Sequence, residues 1–425
     1  MKSLICFIAN CIDLHYSVDH YGCSYPRDVN IWSAHIPNFK ADEFLAVVDY
    51  FEHFGAIDHK LGRYIELADG NTQSKFRPTE DFIDALADNE ITLSIVQDAT
   101  ELVFNRTRHR TVKLKSGRTK TVEDKRRVYP SLTDEIKQIR QEVREFRRFL
   151  SGFEYSVNGL DHTIVYSKRR NGEPYRIVRH IKQSDFIDYR RVFRLEDDAI
   201  LPMAGGRYYA GVCGFPKATR KQVHIDGVPV RRLDAANLHP RLAHAIVGVS
   251  TEHLGDPYDL DFDDGSVFNS IVDCEQRRDI IKTSVLIFMN AQSKTSALRA
   301  IADEIKTLDK YWTIAKELID KIDNKYRAIR QITLKPICWK ILQTCDAYAM
   351  SLMIKRAIER GICILPIHDE LLCQDTPVTV EEVKQIMRDS YSDAVSHVRR
   401  IVNESDEYRF EVQCDVNKEI EKIIE

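Results

Sequence analysis

The chain has 425 residues, 43% of them hydrophobic, and a formal charge of −3. That is about two to three domains' worth of length, enough to bury a large core, and its near-neutral balance does not by itself point to a nucleic-acid partner. Residues 4–9 are apolar but far too short to span a membrane and lack a small-residue cleavage site, and the ten cysteines have no paired spacing, so the expectation is a soluble cytoplasmic protein with reduced thiols.

Cys11, His15, His20 and Cys23 come first, with irregular gaps that fit no common zinc finger. Residues 41–54 place Phe44, Leu45, Val47, Val48 and Phe51 at helical spacing, and Gly55 ends that helix before a short strand expected over residues 63–67. Arg77-Pro78-Thr79 then opens a second helix. From Arg106 to Arg127 there are ten Lys or Arg against two acids, alternating around a Ser116-Gly117 turn as in a basic hairpin. Arg108, Arg110, Lys113 and Lys115 are its candidate phosphate contacts. Residues 1–130 are therefore expected to form a winged-helix-like region with a basic hairpin.

Residues 131–189 form the next expected unit. Thr133 is a candidate N-cap, followed by Asp134 and Glu135 where the helix dipole favours acids. Ile136, Ile139, Val143, Phe146 and Leu150 then recur on one face, with Arg140, Arg144, Arg147 and Arg148 on the other. This helix can pack on one side and rest on a duplex on the other. A second hairpin over residues 163–180 turns at Asn171-Gly172 and carries Lys168, Arg169 and Arg170 at its tip.

From about residue 190 the pattern becomes strands ending in carboxylates, separated by long helices. Residues 230–233 run into Asp234, residues 362–367 into His368-Asp369-Glu370, and residues 410–414 read as a last strand. Helical patterns cover about 272–289, 298–329 and 337–360, making this part α+β. An apolar strand that ends in a His-Asp-Glu triplet carries charges that are costly unless they bind something. Between the two aspartates, Arg278 and Lys282 are four apart on one helix, where a guanidinium fork and an ammonium can hold a triphosphate.

These segments resemble, in chain order, the motifs of the family A polymerases. Asp234 to Arg241 is similar to motif A, Arg278-x-x-x-Lys282 to motif B on the fingers helix, and His368-Asp369-Glu370 to motif C. Gly205-Gly206-Arg207-Tyr208-Tyr209 is similar to the family's Gly-Arg segment, whose arginine touches the minor groove at the primer end. The likeness covers roughly residues 190–425 and is closer still to short polymerase-like proteins of prophages and mobile elements, whose motif A reads Asp-x-x-x-Leu-His-Pro-Arg. It implies an α+β right-hand palm with helical fingers, and the Thr133 helix as a thumb.

What the resemblance further implies is a magnesium-dependent DNA polymerase, manganese being an alternative ion, that acts on a DNA primer–template with dNTPs and no proofreading exonuclease. Accessory replication proteins are candidate partners, and a membrane is not one. Asp234, Asp369 and the backbone of Ala235 are implied as metal ligands, with Lys282 as a catalytic proton donor. Arg278, Lys282, His239 and Leu286 are implied around the nucleotide, and Arg207, Arg241, His368 and Gln343 along the nucleic acid. The chain departs from the family in having His239 in place of a glutamate, and Leu286 with Asn290-Ala291 in place of an aromatic residue with Tyr-Gly. A single-subunit RNA polymerase or primase and a nucleic-acid-binding protein on a degenerate polymerase fold are the rival readings.

Overall fold

The computed structural model describes residues 23–25, 41–60, 74–88, 101–113, 119–128, 130, 133–168, 174–195, 200–271, 273–405, 408–411 and 414–424. Cys11, His15 and His20, the strand expected at 63–67, Lys115, the two hairpin turns and Arg169 and Arg170 lie outside the described residues.

The described strands are β1 (Cys23–Tyr25), β2 (Ile57–Lys60), β3 (Ser74–Pro78), β4 (Leu102–Lys113), β5 (Thr119–Val128), β6 (Tyr155–Val157), β7 (His162–Lys168), β8 (Pro174–His180), β9 (Arg190–Leu195), β10 (Met203–Tyr209), β11 (Val223–Ile225), β12 (Val228–Asp234), β13 (Ile364–Ile367) and β14 (Glu370–Gln374). Helices of two or more turns are α1 (Ala41–His53), α2 (Glu80–Asp88), α3 (Asp134–Leu150), α4 (Leu238–Val247), α5 (Cys274–Asn290), α6 (Lys294–Glu304), α7 (Tyr311–Lys325), α8 (Ile337–Glu359), α9 (Pro377–Asn403) and α10 (Val416–Ile424). The protein is thus a mixed α+β structure, and no described helix is long and apolar enough to cross a membrane.

Near the N-terminus, β1, β3 and β2 form an antiparallel sheet beside α1 and α2. Gly55, at a φ of 67°, ends α1 in the left-handed conformation that glycine adopts without strain. Phe44, Val48, Ile57, Phe76 and Ile83 are buried there, apart from the continuous core that begins at Leu102 and ends at Ile424.

Within that larger core, one sheet has the order β13-β14-β12-β11-β6 and another the order β10-β9-β4-β5. The apolar run of β13 is buried at every position, as expected of an interior strand. It turns through His368-Asp369 into β14, with His368 at a φ of 60° at the first turn position, and β14 then pairs with β12. A non-glycine residue held there stores about 1–3 kcal/mol of strain, the kind of cost found at functional turns. Helix α8 packs against β10 and α9 and is buried along most of its length.

Several expectations are met closely. The Thr133 hydroxyl accepts the Ile136 N–H at 3.2 Å, capping α3, and α5 and α8 fall where their periodicity placed them. Other expectations fail for visible reasons. The helix expected over 298–329 is broken between α6 and α7, where the Asp309 carboxylate takes the Lys310 N–H at 2.9 Å and Lys310 adopts a φ of 52°. Both pieces pack on one core, so their apolar pattern reads as continuous. Phe410 and Glu411 form no strand: the Asn403 side chain takes the Phe410 N–H at 2.7 Å, and Arg399 donates to the Phe410 carbonyl at 3.2 Å. Strand β12 lies between β11 and β14.

The expected boundaries at 130/131 and 189/190 are crossed by one sheet, because β4 pairs in parallel with β9. On α3 the arginine face is also partly engaged by the protein. Arg147 is buried and donates to the Tyr189 carbonyl at 2.7 Å, while Arg144 and Arg140 lie 2.6 Å and 3.6 Å from the Glu101 carboxylate.

Candidate active site

The two sequence-marked aspartates meet because β12 and β14 are neighbours. Asp234 ends β12 opposite Glu370, and the Ala235 N–H donates to the Asp369 carbonyl at 3.3 Å. Both aspartates are exposed at this end of the sheet, whereas Glu370 is buried. Burial first, and the nearby Asp369 charge second, push the Asp234 carboxyl above its usual range, against the pull of Arg232, Lys282 and Lys217. Arg232 reaches Glu370 at 3.1 Å and Asp234 at 3.6 Å, so Glu370 takes much of its charge.

Helix α5 brings Lys282 to the same end of the sheet. Asp273 caps it by accepting the Glu275 N–H at 2.9 Å, and Arg278 and Lys282 follow one turn apart. Lys282 is exposed, its charge acts on Asp234, and its Nζ stands 6.0 Å from the centre of the Tyr258 ring. Arg278 pairs with Asp256 at 2.7 Å. Burial, then the Asp256 and Asp369 charges, raise the Tyr258 phenol to about 12, so it is a neutral hydroxyl at pH 7. Asp256 and Tyr258 were missed in the sequence because Asp-Pro-Tyr in a loop has the ordinary chemistry of a turn.

Behind the carboxylates lies a second cluster. Gly206, at a φ of 93°, has no room for a side chain: an added Cβ would stand 2.5 Å from the Phe193 ring. The next residue, Arg207, holds Asp346 of α8 at 3.1 Å and 3.2 Å, and Tyr391 donates to the other Asp346 oxygen at 3.3 Å. Burial raises the Asp346 carboxyl to about 6 against the lowering effect of Arg207. Arg207 also lies 3.4 Å from His239 Nε2. Burial and then Arg207 lower the His239 imidazole to about 4, so it is neutral at pH 7. Because the guanidinium can only donate, Nε2 accepts and the proton belongs on Nδ1.

His368 sits edge-on to Tyr209 at 5.4 Å, and Gln343 Oε1 is 4.0 Å from where a Gly205 Cβ would stand. Asp234, Asp369, Lys282, Arg278, His239, Arg207, His368 and Gln343 therefore share one neighbourhood. Arg241 does not present its side chain to it, since its guanidinium donates to the Lys422 carbonyl of α10. Leu286 is half-buried one turn beyond Lys282 on α5. Arg108, Arg110 and Lys113 are on β4.

Asp234, raised first by burial and then by Asp369, and Asp369 itself are hard oxygen donors of the kind that could hold a divalent cation. No family model matches the chain, and neither a curated protein nor a solved structure matches it.

Proposed function

We propose that this protein is a template-directed DNA polymerase built as a palm with helical fingers. The observation that carries the reading is the convergence of Lys282, from α5, on Asp234 at the end of β12 and on the neighbouring Asp369 in the turn before β14. Phosphoryl transfer needs little covalent help from the protein and much positioning and charge. Asp234 and Asp369 would hold magnesium, which would supply Lewis-acid activation of the attacking 3′-hydroxyl and charge stabilisation of the leaving oxygens.

The chain's own residues do the rest. Arg278 clamps a triphosphate after leaving Asp256, and Lys282 stabilises the leaving pyrophosphate and donates a proton to it. Arg207, held by Asp346, reaches the primer end in the minor groove. His239 stands beside the sugar as a neutral ring whose Nε2 is already engaged by Arg207.

A single-subunit RNA polymerase is the second reading, favoured by one observation: the Nδ1–H of His239 can donate to a ribose 2′-hydroxyl. Primer extension with dNTPs and with NTPs, by wild type and by His239→Ala, separates the two. The DNA reading expects the wild type to prefer dNTPs and the variant to admit NTPs more readily. Equal use of NTPs by the wild type, lost in the variant, would replace it with the RNA reading.

A further inference from the structure

The basic hairpin is rooted in the sheet that carries Arg207, and the root fixes its direction. Strand β4 runs parallel to β9 from Leu102 opposite Arg191 to Arg106 opposite Leu195. Strand β9 in turn is antiparallel to β10, with Arg190 opposite Tyr209 and Leu195 opposite Met203. The Tyr209 end of β10 is the one beside His368. Strand β4 therefore leaves the sheet at the Met203 end, away from the carboxylates. Leu102, Val103 and Phe104 are buried, and Phe104 stacks on Phe193 at 5.4 Å, so the core anchors this exit.

Past Arg106 the ladder continues with β5 alone, from Thr107 opposite Lys125 to Lys113 opposite Thr119. The register puts Arg106, Arg108, Arg110, Lys120 and Arg126 on one face, with Asp124 the single acid among them. Neighbours on one face of a strand are about 6.8 Å apart. That step equals about two base-pair rises of a duplex.

We infer that this arm lies along the backbone of the duplex behind the primer terminus and sets how much duplex the protein grips. The inference rests on the polymerase reading for the position of the terminus at Arg207. At about 3.4 Å per residue, Arg207 to Met203 spans about 14 Å, and Arg106, which lies level with Met203 through Leu195, to Lys113 spans about 24 Å. These lengths correspond to about four base pairs and about seven more. The grip should therefore extend to about eleven base pairs.

The test is binding of the full chain to primed DNA whose duplex grows from four to twenty base pairs behind a constant template overhang. Wild-type affinity should tighten at least tenfold up to about eleven base pairs and then level. The triple variant Arg108→Gln, Arg110→Gln, Lys120→Gln should level at about four, and on long duplex its salt slope should fall by about two to three, as expected for three lost phosphate contacts. A wild-type curve already flat from four base pairs overturns the arm, with no variant needed. A variant that tightens with length like the wild type overturns it as well. Nucleotide incorporation by the wild type on the longest duplex is read in the same series. Length dependence without incorporation defeats the polymerase reading and leaves the arm, whereas incorporation without length dependence defeats the arm alone.

Discussion

Asp234 and Asp346 are the same residue type in neighbouring regions, and the fold uses them in opposite ways. Asp346 is 1% exposed and is matched by Arg207 and the Tyr391 hydroxyl, so its charge fixes geometry inside the protein. Asp234 has half its side chain exposed, near a like charge, while Arg232 lies closer to Glu370. One region satisfies its charges internally, and the other leaves negative charge for something outside to neutralise. This difference separates a scaffold from a site.

The largest effect that can sharpen the contrast lies at the exposed edge. Lys282→Ala should lower kcat for nucleotide incorporation by about 10²- to 10⁴-fold, the range for a lost proton donor, while Arg278→Ala should mainly raise the apparent nucleotide KM. Steady-state kinetics decides this, and unchanged values in both variants would remove α5 from the site. In the buried region the expected loss is one of stability. Asp346→Ala leaves Arg207 without its buried partner and should cost about 3 kcal/mol in urea unfolding. A variant as stable as the wild type would show that the pair is not holding Arg207.

Acid tests the same division. His244 is buried and His239 half-buried, and both imidazoles are lowered to about 4. Their unfolded value is near 6.5, so their contribution to stability is complete above that pH and is lost as pH falls towards 4. Asp346, raised to about 6, works in the opposite direction and recovers part of the loss over the same interval. The net expectation is roughly 3 kcal/mol less stability at pH 4 than at pH 7, and His244→Asn should flatten that slope. Identical pH dependence in wild type and variant would contradict the assignment.

The smallest effect concerns Asp256, which pairs with Arg278. Exposed pairs of this kind are worth up to about 1 kcal/mol. Asp256→Ala should therefore lower the nucleotide KM by at most about fivefold, and a raised KM would instead make Asp256 part of nucleotide binding.

The sequence was most readable where one element states its own purpose. The α3 cap, the α5 cations and the apolar run before His368-Asp369-Glu370 depend on local spacing, and each was found at nearly its expected position. It was least readable where distant segments cooperate. Nothing in residues 101–106 announces that they pair with β9, because a basic strand rooted by three apolar residues reads like any hairpin. The Arg207–Asp346 pair joins segments 139 positions apart, and Arg241, placed by motif among the nucleic-acid contacts, is drawn instead to a carbonyl of the last helix. Phe410 failed as a strand because side chains of α9, rather than a neighbouring strand, take its backbone groups.

The central claim is that Asp234 and Asp369, with Lys282 beside them, carry the proposed chemistry and are not what holds the primed DNA. The direct measurement is single-turnover primer extension with magnesium and dNTPs, run beside equilibrium binding of the same primed DNA, for wild type, Asp234→Asn and Asp369→Asn. The account predicts incorporation by the wild type, a loss of at least about 10³-fold in either variant, and DNA affinity within a few-fold of wild type in both. Extension by either variant at near the wild-type rate, or no incorporation by a wild-type protein that binds the primed DNA, would contradict it.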